Sequence, residues 1–196
     1  MKVVIATNNK HKVEEIETAL DFPGWEFLTL SQVEPYPEPE EDADTFVGNA
    51  LIKARAAHEA TGMAALADDS GLVVDALDGR PGVYSARYAG THGDDAANNA
   101  KVLSELEGVA DERRTGRFVC ALAFIDEEGN ETTVEGTVEG RIGHELRGSE
   151  GFGYDPMFMP EEFGFERSLA EVSQDEKNAI SHRGNALRIL RAKLAE

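Results

Sequence analysis

Residues 2–20 read KVVIATNNKHKVEEIETAL, and this stretch decides the fold class. Lys2–Ala6 is a short apolar run with the length of a buried strand. Thr7-Asn8-Asn9 is turn and cap chemistry, after which Val13, Ile16 and Leu20 recur at helical spacing. A strand, a capped turn and a helix in direct succession open an α/β chain. Outward from this unit the same pattern repeats. Trp25–Leu30 reads as a second strand, and Glu34–Asp44, with three prolines and six acids, as a loop. Thr45–Ala60 is an Ala-rich helix stopped at Thr61-Gly62. Ala64–Ala67 is expected as a short strand ending in a turn at Asp68-Asp69-Ser70-Gly71, with Leu72–Leu77 as a separate strand. Gly79–Gly93 reads as loop and Asp94–Leu106 as helix. Phe118–Asp126 and Thr132–Glu139 flank a turn at Glu127–Asn130, a long hairpin. Gly148–Pro156 is a glycine-rich loop; from Asp175 to Leu194 the pattern is helical, and Ser181-His182-Arg183 opens the last helix. The expectation is a mixed α/β fold with a central twisted sheet and a ligand cleft near the strand ends.

The chain has 196 residues, enough for one domain, or one domain with a lobe, and a real core. It carries 38 Asp+Glu against 19 Lys+Arg, a net charge of −19, which opposes binding to duplex nucleic acid. The acids are spread along the chain rather than gathered in a tail, and arginine outnumbers lysine 12 to 7. Such a surface suits a high-salt cytoplasm, where the Debye length falls to ~3 Å and self-repulsion is screened. The single cysteine, Cys120 in FVCALAFI, reads as a small buried hydrophobe; it excludes an internal disulfide framework and fits a reducing compartment. Met1-Lys2 runs straight into the first strand without a signal-peptide pattern, and no apolar run nears the ~18 residues that span a membrane. A soluble cytoplasmic protein is expected, with no membrane partner.

Against so acidic a background, gathered cations are informative. Thr7, Asn8, Asn9, Lys10, His11 and Lys12 lie between a strand end and a helix start, where free N–H groups and the helix dipole attract anions. No GxxxxGK[ST] loop occurs. The alternative is an Asn cap with solvated lysines, although basic residues in a first turn oppose the dipole by ~0.3–1 kcal/mol each. Lys53 sits in NALIKAR, and Lys177, His182 and Arg183 in DEKNAISHR. The opposite element is Asp68-Asp69-Ser70: adjacent carboxylates repel unless a cation stands beside them. Mg²⁺ takes one or two carboxylates plus substrate phosphates, and alternation along an extended chain lets only one of the pair reach it. An Asp-Ser-Gly turn is the plainer reading. Phe152-Gly153-Tyr154-Asp155 places flat rings beside a carboxylate acceptor, as a nucleobase pocket requires, or else rings that plug the core.

ATNNKHK, TFVGNALIKA, ADDSGL, PGVYSARYAG, GFGYDP and DEKNAISHRGNAL, in this order, resemble the inosine/xanthosine triphosphate pyrophosphatase family across nearly the whole chain. The resemblance implies an elongated mixed α/β fold with a central twisted mixed sheet and a nucleotide bound between two lobes, a homodimer, and hydrolysis of ITP, dITP and XTP to monophosphate and pyrophosphate with Mg²⁺. It implies that Thr7 to Lys12 cradle the triphosphate, with Lys53 and Lys177 adding charge. Asp69 would be general base and metal ligand, with Asp68 beside it and Ser70 touching substrate. Phe152, Gly153, Tyr154 and Asp155 would hold base and sugar, and His182 and Arg183 would read the 6-oxo edge. An acid of the loop Glu38–Asp42 would complete the metal site, with Glu41 and its neighbour Glu40 as candidates. One departure stands out: many members carry glutamate where this chain has Gly48. A nucleotide sensor without catalysis, or a Mg²⁺ phosphatase, would share the cationic loops and differ in product.

Overall fold

The computed structural model describes residues 1–195. Its elements are β1 (Lys2–Ile5), α1 (Lys10–Ala19), β2 (Glu26–Thr29), α2 (Phe46–Thr61), β3 (Ala64–Val74) and α3 (Asp95–Glu105). They are followed by β4 (Thr115–Ile125), β5 (Glu131–Ile142), β6 (Phe158–Pro160), α4 (Gln174–Ile180) and α5 (His182–Leu194). The strands form one six-stranded mixed sheet in the order β2-β1-β3-β4-β5-β6. β1 pairs in parallel with β2 and with β3, whereas β5 and β6 are antiparallel. The mixed α/β class expected from the sequence is the one observed.

Two compact units divide the chain. The first comprises Met1–Asp69, Cys120–Gly136 and the segment from Arg183 onward; the second comprises Ser70–Val119 and Thr137–His182. Within the first unit, strand alternation sorts side chains onto two faces. Val3, Ile5, Ala64, Leu66, Cys120, Leu122 and Phe124 join Ile16 and Leu20 of α1 and Ala186, Leu187 and Leu190 of α5 in one core. Val4, Ala65, Ala67, Ala121, Ala123 and Ile125 pack with Ala50, Ala54 and Ala57 of α2 in another. The spacing of those three alanines makes one helical stripe, and small residues on both sides let the α2 backbone lie close to the strands.

The second unit has its own core: Leu72 and Val74 of β3, Val102 and Leu106 about α3, Phe118, Val138, Ile142, Tyr154, Met157, Phe158 and Leu169. β6 escaped the sequence reading because three residues carry no periodicity. It is held beside Gly140, where a Cβ would come within 2.6 Å of Met159 O and of the Phe158 ring.

One expectation is corrected. Asp68-Asp69-Ser70-Gly71 is not a turn between two strands; β3 runs unbroken from Ala64 to Val74. The polar residues stay extended because each carboxylate finds a cation on its own face, as described below, and Leu72 and Val74 resume the apolar alternation. The last helix opens at Ser181-His182, as the sequence places it. Ser181 is extended (φ −62°, ψ 152°) while its N–H still closes the separate helix α4 on Lys177 O, so α5 begins at His182.

Ala54→Leu should force side chains into the tight α2 contact and cost roughly 1–3 kcal/mol, lowering the denaturant midpoint without changing the slope. An unchanged midpoint would show that the contact has room to spare.

Candidate active site

Residues 68 and 69 of β3 point to opposite faces, and each face carries its own chemistry. Asp68 is 1% exposed. Its Oδ1 pairs with the Lys12 ammonium, and its Oδ2 accepts from Arg183 Nε at 2.9 Å and from Cys120 Sγ at 3.0 Å. Arg183, 1% exposed, also donates from Nη1 to Glu15 Oε2 at 2.5 Å. A chain of alternating charges, Lys12–Asp68–Arg183–Glu15, therefore lies under the strand. Burial alone would raise the Asp68 pKa, but Arg183 and Lys12 outweigh it and hold the carboxyl well below its usual range. The same carboxylates raise the Arg183 pKa against the pull of burial.

Asp69 has the opposite balance. Its Oδ1 is 3.5 Å from Lys53 Nζ, and Lys53 is bonded more closely, at 2.8 Å, to Glu41 Oε2. Asp69 Oδ2 is buried and has no hydrogen-bond partner among the described residues. Burial raises the Asp69 pKa, Lys53 and Lys12 oppose the rise, and Glu41 and Asp68 add to it; the net shift is upward. Lys53 is pulled down by burial, yet Asp69 and Glu41 bring its pKa above the usual value. A buried carboxylate oxygen with nothing to accept, in a group made of oxygen donors, suits a hard divalent cation. Two carboxylates would supply part of such a site and a phosphate the rest. No ready-made group of three or more His, Cys, Asp or Glu for a metal occurs among the described residues.

Other expected residues fall around this group. Glu41 is the acid of the Glu38–Asp42 run that meets Lys53, while Glu40 is exposed. Gly48 leaves no space for a glutamate: a Cβ there would lie 2.6 Å from Ala43 Cβ and 3.0 Å from Thr45 Oγ1. At the start of α1, Asn9 caps the helix, accepting from His11 N and Lys12 N at 3.0 and 3.4 Å, while Thr7 Oγ1 accepts from Asn9 N. The cap reading thus holds for Asn9. Lys10 and His11 are exposed, as is Asn8, and the Lys12 ammonium is on Asp68.

The second unit holds the glycine-rich loop. Asp155, 3% exposed, accepts at Oδ2 from Phe152 N at 2.9 Å and from Lys177 Nζ at 2.8 Å. Lys177, also 3% exposed, lies 4.5 Å from the centre of the Phe152 ring, a cation–π contact. A side chain at Gly151 would strike the Asp155 carboxylate, which explains the glycine. Gly153 adopts φ +62°, where glycine carries no steric cost. Tyr154 is a core residue, its hydroxyl donating to Ser85 O at 2.6 Å; burial chiefly raises its pKa. So within one loop Phe152 is half-buried beside a cation, and Tyr154 plugs the core. His182 stacks on Phe118, ring centres 4.9 Å apart and planes 17° off parallel. Ser70 begins this unit, half-buried.

Sequence reasoning did not single out Glu15, Asp95, Asn99 or Ser85. Cys120 is buried in the core as expected, and its thiol also donates to Asp68. The consecutive Asn98-Asn99 inside a helix was a usable signal, since asparagine is a poor interior helix former.

The chain matches the model of the Ham1 family over residues 3–193 and belongs to that family. It is 52% identical to a Desulforamulus reducens protein named dITP/XTP pyrophosphatase, covering 96% of this chain and 92% of the relative. A Geobacter sulfurreducens protein of the same name is 51% identical over 97% and 94% of the two chains. Among solved structures, the Staphylococcus aureus Ham1 protein aligns with TM-score 0.90 and 38% identity, covering 100% of this chain and 98% of that one. A Mycobacterium abscessus structure titled nucleoside-triphosphatase / dITP/XTP pyrophosphatase gives TM-score 0.82 and 48% identity over 97% and 98%.

The two aspartates should respond oppositely to neutralisation. Asp68 has a depressed folded pKa, so its stabilisation is present above the unfolded value and lost as pH falls through the folded one. Asp68→Asn takes the carboxylate from Lys12 and leaves the buried Arg183 to its ion pair with Glu15, and should cost about 3–5 kcal/mol at pH 7. Asp69 has a raised folded pKa, so its ionisation opposes folding as pH rises past the unfolded value. Asp69→Asn should leave Tm at pH 7 equal or higher in metal-free buffer. Thermal melts of both variants across pH 4–8 check the pair; equal destabilisation at pH 7 would contradict it.

Proposed function

We propose that this Ham1-family chain hydrolyses dITP, ITP and XTP to the nucleoside monophosphate and pyrophosphate, clearing deaminated purines from the nucleotide pool. The observation that carries this reading is Asp69: a buried carboxylate with a raised pKa, one oxygen unpartnered, beside Lys53 and Glu41. A general base needs that combination of basicity and reach.

Asp69 and Glu41 would hold Mg²⁺, which supplies charge neutralisation at the phosphates when bound. Lys53 keeps the two carboxylates together and adds positive charge, as does Lys10 at the start of α1, where His11 lies beside Thr7, Asn8 and Asn9. Lys12 and Arg183 serve mainly through Asp68, whose fixed negative charge keeps both cations in place under the strand. Asp69 takes a proton from a water molecule. The water oxygen then forms a bond to the α-phosphorus, the bond from that phosphorus to the bridging oxygen breaks, and pyrophosphate leaves. Positioning and electrostatics carry most of the rate, as in phosphoryl transfer generally. Ser70 contacts the substrate beside Asp69.

Base selection is assigned to the second unit. Phe152, over which the Lys177 ammonium lies, offers a face for stacking. Lys177 and His182 provide donors for the purine 6-oxygen, with Asp155 setting the orientation of Lys177. Adenine presents an amino group at that edge, so donor meets donor and a buried group goes unpaired, a penalty worth ~10⁴ in selectivity. No helix among the described residues is long and apolar enough to cross a membrane. A cytoplasmic homodimer working at high salt completes the proposal, and activity and Tm should both increase from low to molar KCl as surface repulsion is screened.

Release of pyrophosphate from ITP and XTP should depend on divalent metal, be abolished by EDTA, and be lost in Asp69→Asn. Orthophosphate as the product, or turnover of ATP and GTP equal to that of ITP, would sink the reading.

A further inference from the structure

α3 carries two consecutive buried asparagines, Asn98 and Asn99, 2% and 3% exposed, that the reaction described above does not use. Consecutive helix positions point about 100° apart, and each asparagine binds a different segment. Asn98 Oδ1 accepts from Ala89 N at 2.7 Å, and its Nδ2 donates to Ala86 O at 3.3 Å. Asn99 Nδ2 donates to Gly153 O at 2.8 Å and to Asp95 O at 2.7 Å. One turn earlier, Asp95 Oδ2 accepts from Gly153 N at 2.9 Å. Both polar groups of the Gly153 residue are therefore taken by side chains of the first turns of α3.

The orientation of the Asn99 amide follows from this geometry. Both neighbours of Nδ2 are carbonyl oxygens, which only the NH₂ end can serve. Its Oδ1 is left buried without a partner among the described residues. Tolerating that orphan implies that the hold on Gly153 matters more than local satisfaction. Gly153 itself sits at φ +62° with nothing within 4 Å of where a Cβ would be, so packing does not fix it. What fixes it is the pair of hydrogen bonds from α3. On its two sides Phe152 lies beside Lys177, and Tyr154 is anchored through Ser85 O. Ser85 belongs to the 82–87 turn, and Asn98 binds Ala86 and Ala89 at the end of that segment.

We infer that Asp95 and Asn99 are positioning residues for base selection: they clamp the Gly153 amide and carbonyl and so set the pose of the Phe152 ring and the Asp155–Lys177 pair. The inference rests on the assignment of that loop to the purine. A held loop presents its donors at one fixed geometry, whereas a loose one accommodates the wrong purine as well as the right one. The clamp touches neither water nor phosphate, so its loss should appear in KM and selectivity before kcat.

Asp95 is exposed, so its variants are safe for folding. Asp95→Ala removes the acceptor for Gly153 N–H, while Asp95→Asn keeps one in its Oδ1. Asn99→Asp places carboxylate oxygen against two carbonyls. The experiment combines amide hydrogen exchange at Gly153 with steady-state pyrophosphate release from ITP and ATP. Asp95→Ala and Asn99→Asp should each speed Gly153 exchange and raise KM for ITP by about tenfold, the worth of one hydrogen bond, with a smaller fall in kcat and a narrowed ITP-over-ATP ratio. Asp95→Asn should restore most of both. Unchanged exchange in Asp95→Ala, or faster exchange with unaltered KM and selectivity, would overturn the clamp. Should Asn99→Asp not fold, the Asp95 pair decides alone. If the wild type shows no preference for ITP over ATP, the base-pocket reading fails instead, and Gly153 exchange still reports whether the clamp exists.

Discussion

A carboxylate buried as deeply as Asp68 stays ionised only with cations in contact, and Asp68 has two, Lys12 and Arg183. Much of the first unit depends on that constraint. It ties the start of α1 to β3 and to the first turn of α5, three segments far apart in sequence. It also sets the state of the neighbouring residue. Because strand alternation turns Asp69 to the other face, the cations that hold Asp68 ionised reach it only in part. Asp69 is left with Lys53, which it shares with Glu41, and burial then pushes its pKa up. One dipeptide thus yields a fixed anion and a basic one, through environment alone.

The glycine-rich loop obeys a similar division. Neighbouring aromatic residues face different surroundings: Tyr154 fills the core with its hydroxyl bonded to Ser85 O, and Phe152 stays half-buried beside Lys177. A loop with glycines at positive φ would be loose without anchors. Asp155 ties it to α4 through Lys177, and Asp95 and Asn99 tie Gly153 to α3. Asp155, Lys177 and Asn99 are buried polar groups, the costly kind of contact that a fold retains where geometry has to be kept.

Much of this was legible in the sequence. The strand–cap–helix opening gave the α/β class, and alternation alone separated Asp68 from Asp69. Glu41 was singled out from its acidic run, and it is the acid that meets Lys53. The continuity of β3 was not legible, because turn propensity at Asp-Asp-Ser-Gly is local and the ion pairs overriding it come from residues 12, 53 and 183. Ser181-His182-Arg183 was legible as the opening of the last helix, and α5 begins at His182. Cys120 could not be read as a donor to Asp68, since nothing in an apolar run marks which residue faces a buried charge. Arg183 looked like a reader of the base edge; its Nε and Nη1 are given to Asp68 and Glu15.

The central claim is that two adjacent carboxylates on one strand are held in opposite electrostatic states. Carbon-13 NMR of the carboxyl groups, titrated between pH 3 and 8 in metal-free buffer and assigned with Asp68→Asn and Asp69→Asn, tests it most directly. The account predicts that the Asp68 resonance keeps its ionised shift across the range while Asp69 titrates above the usual aspartate value. Two carboxyls titrating together, or Asp68 titrating at the higher pH, would contradict it.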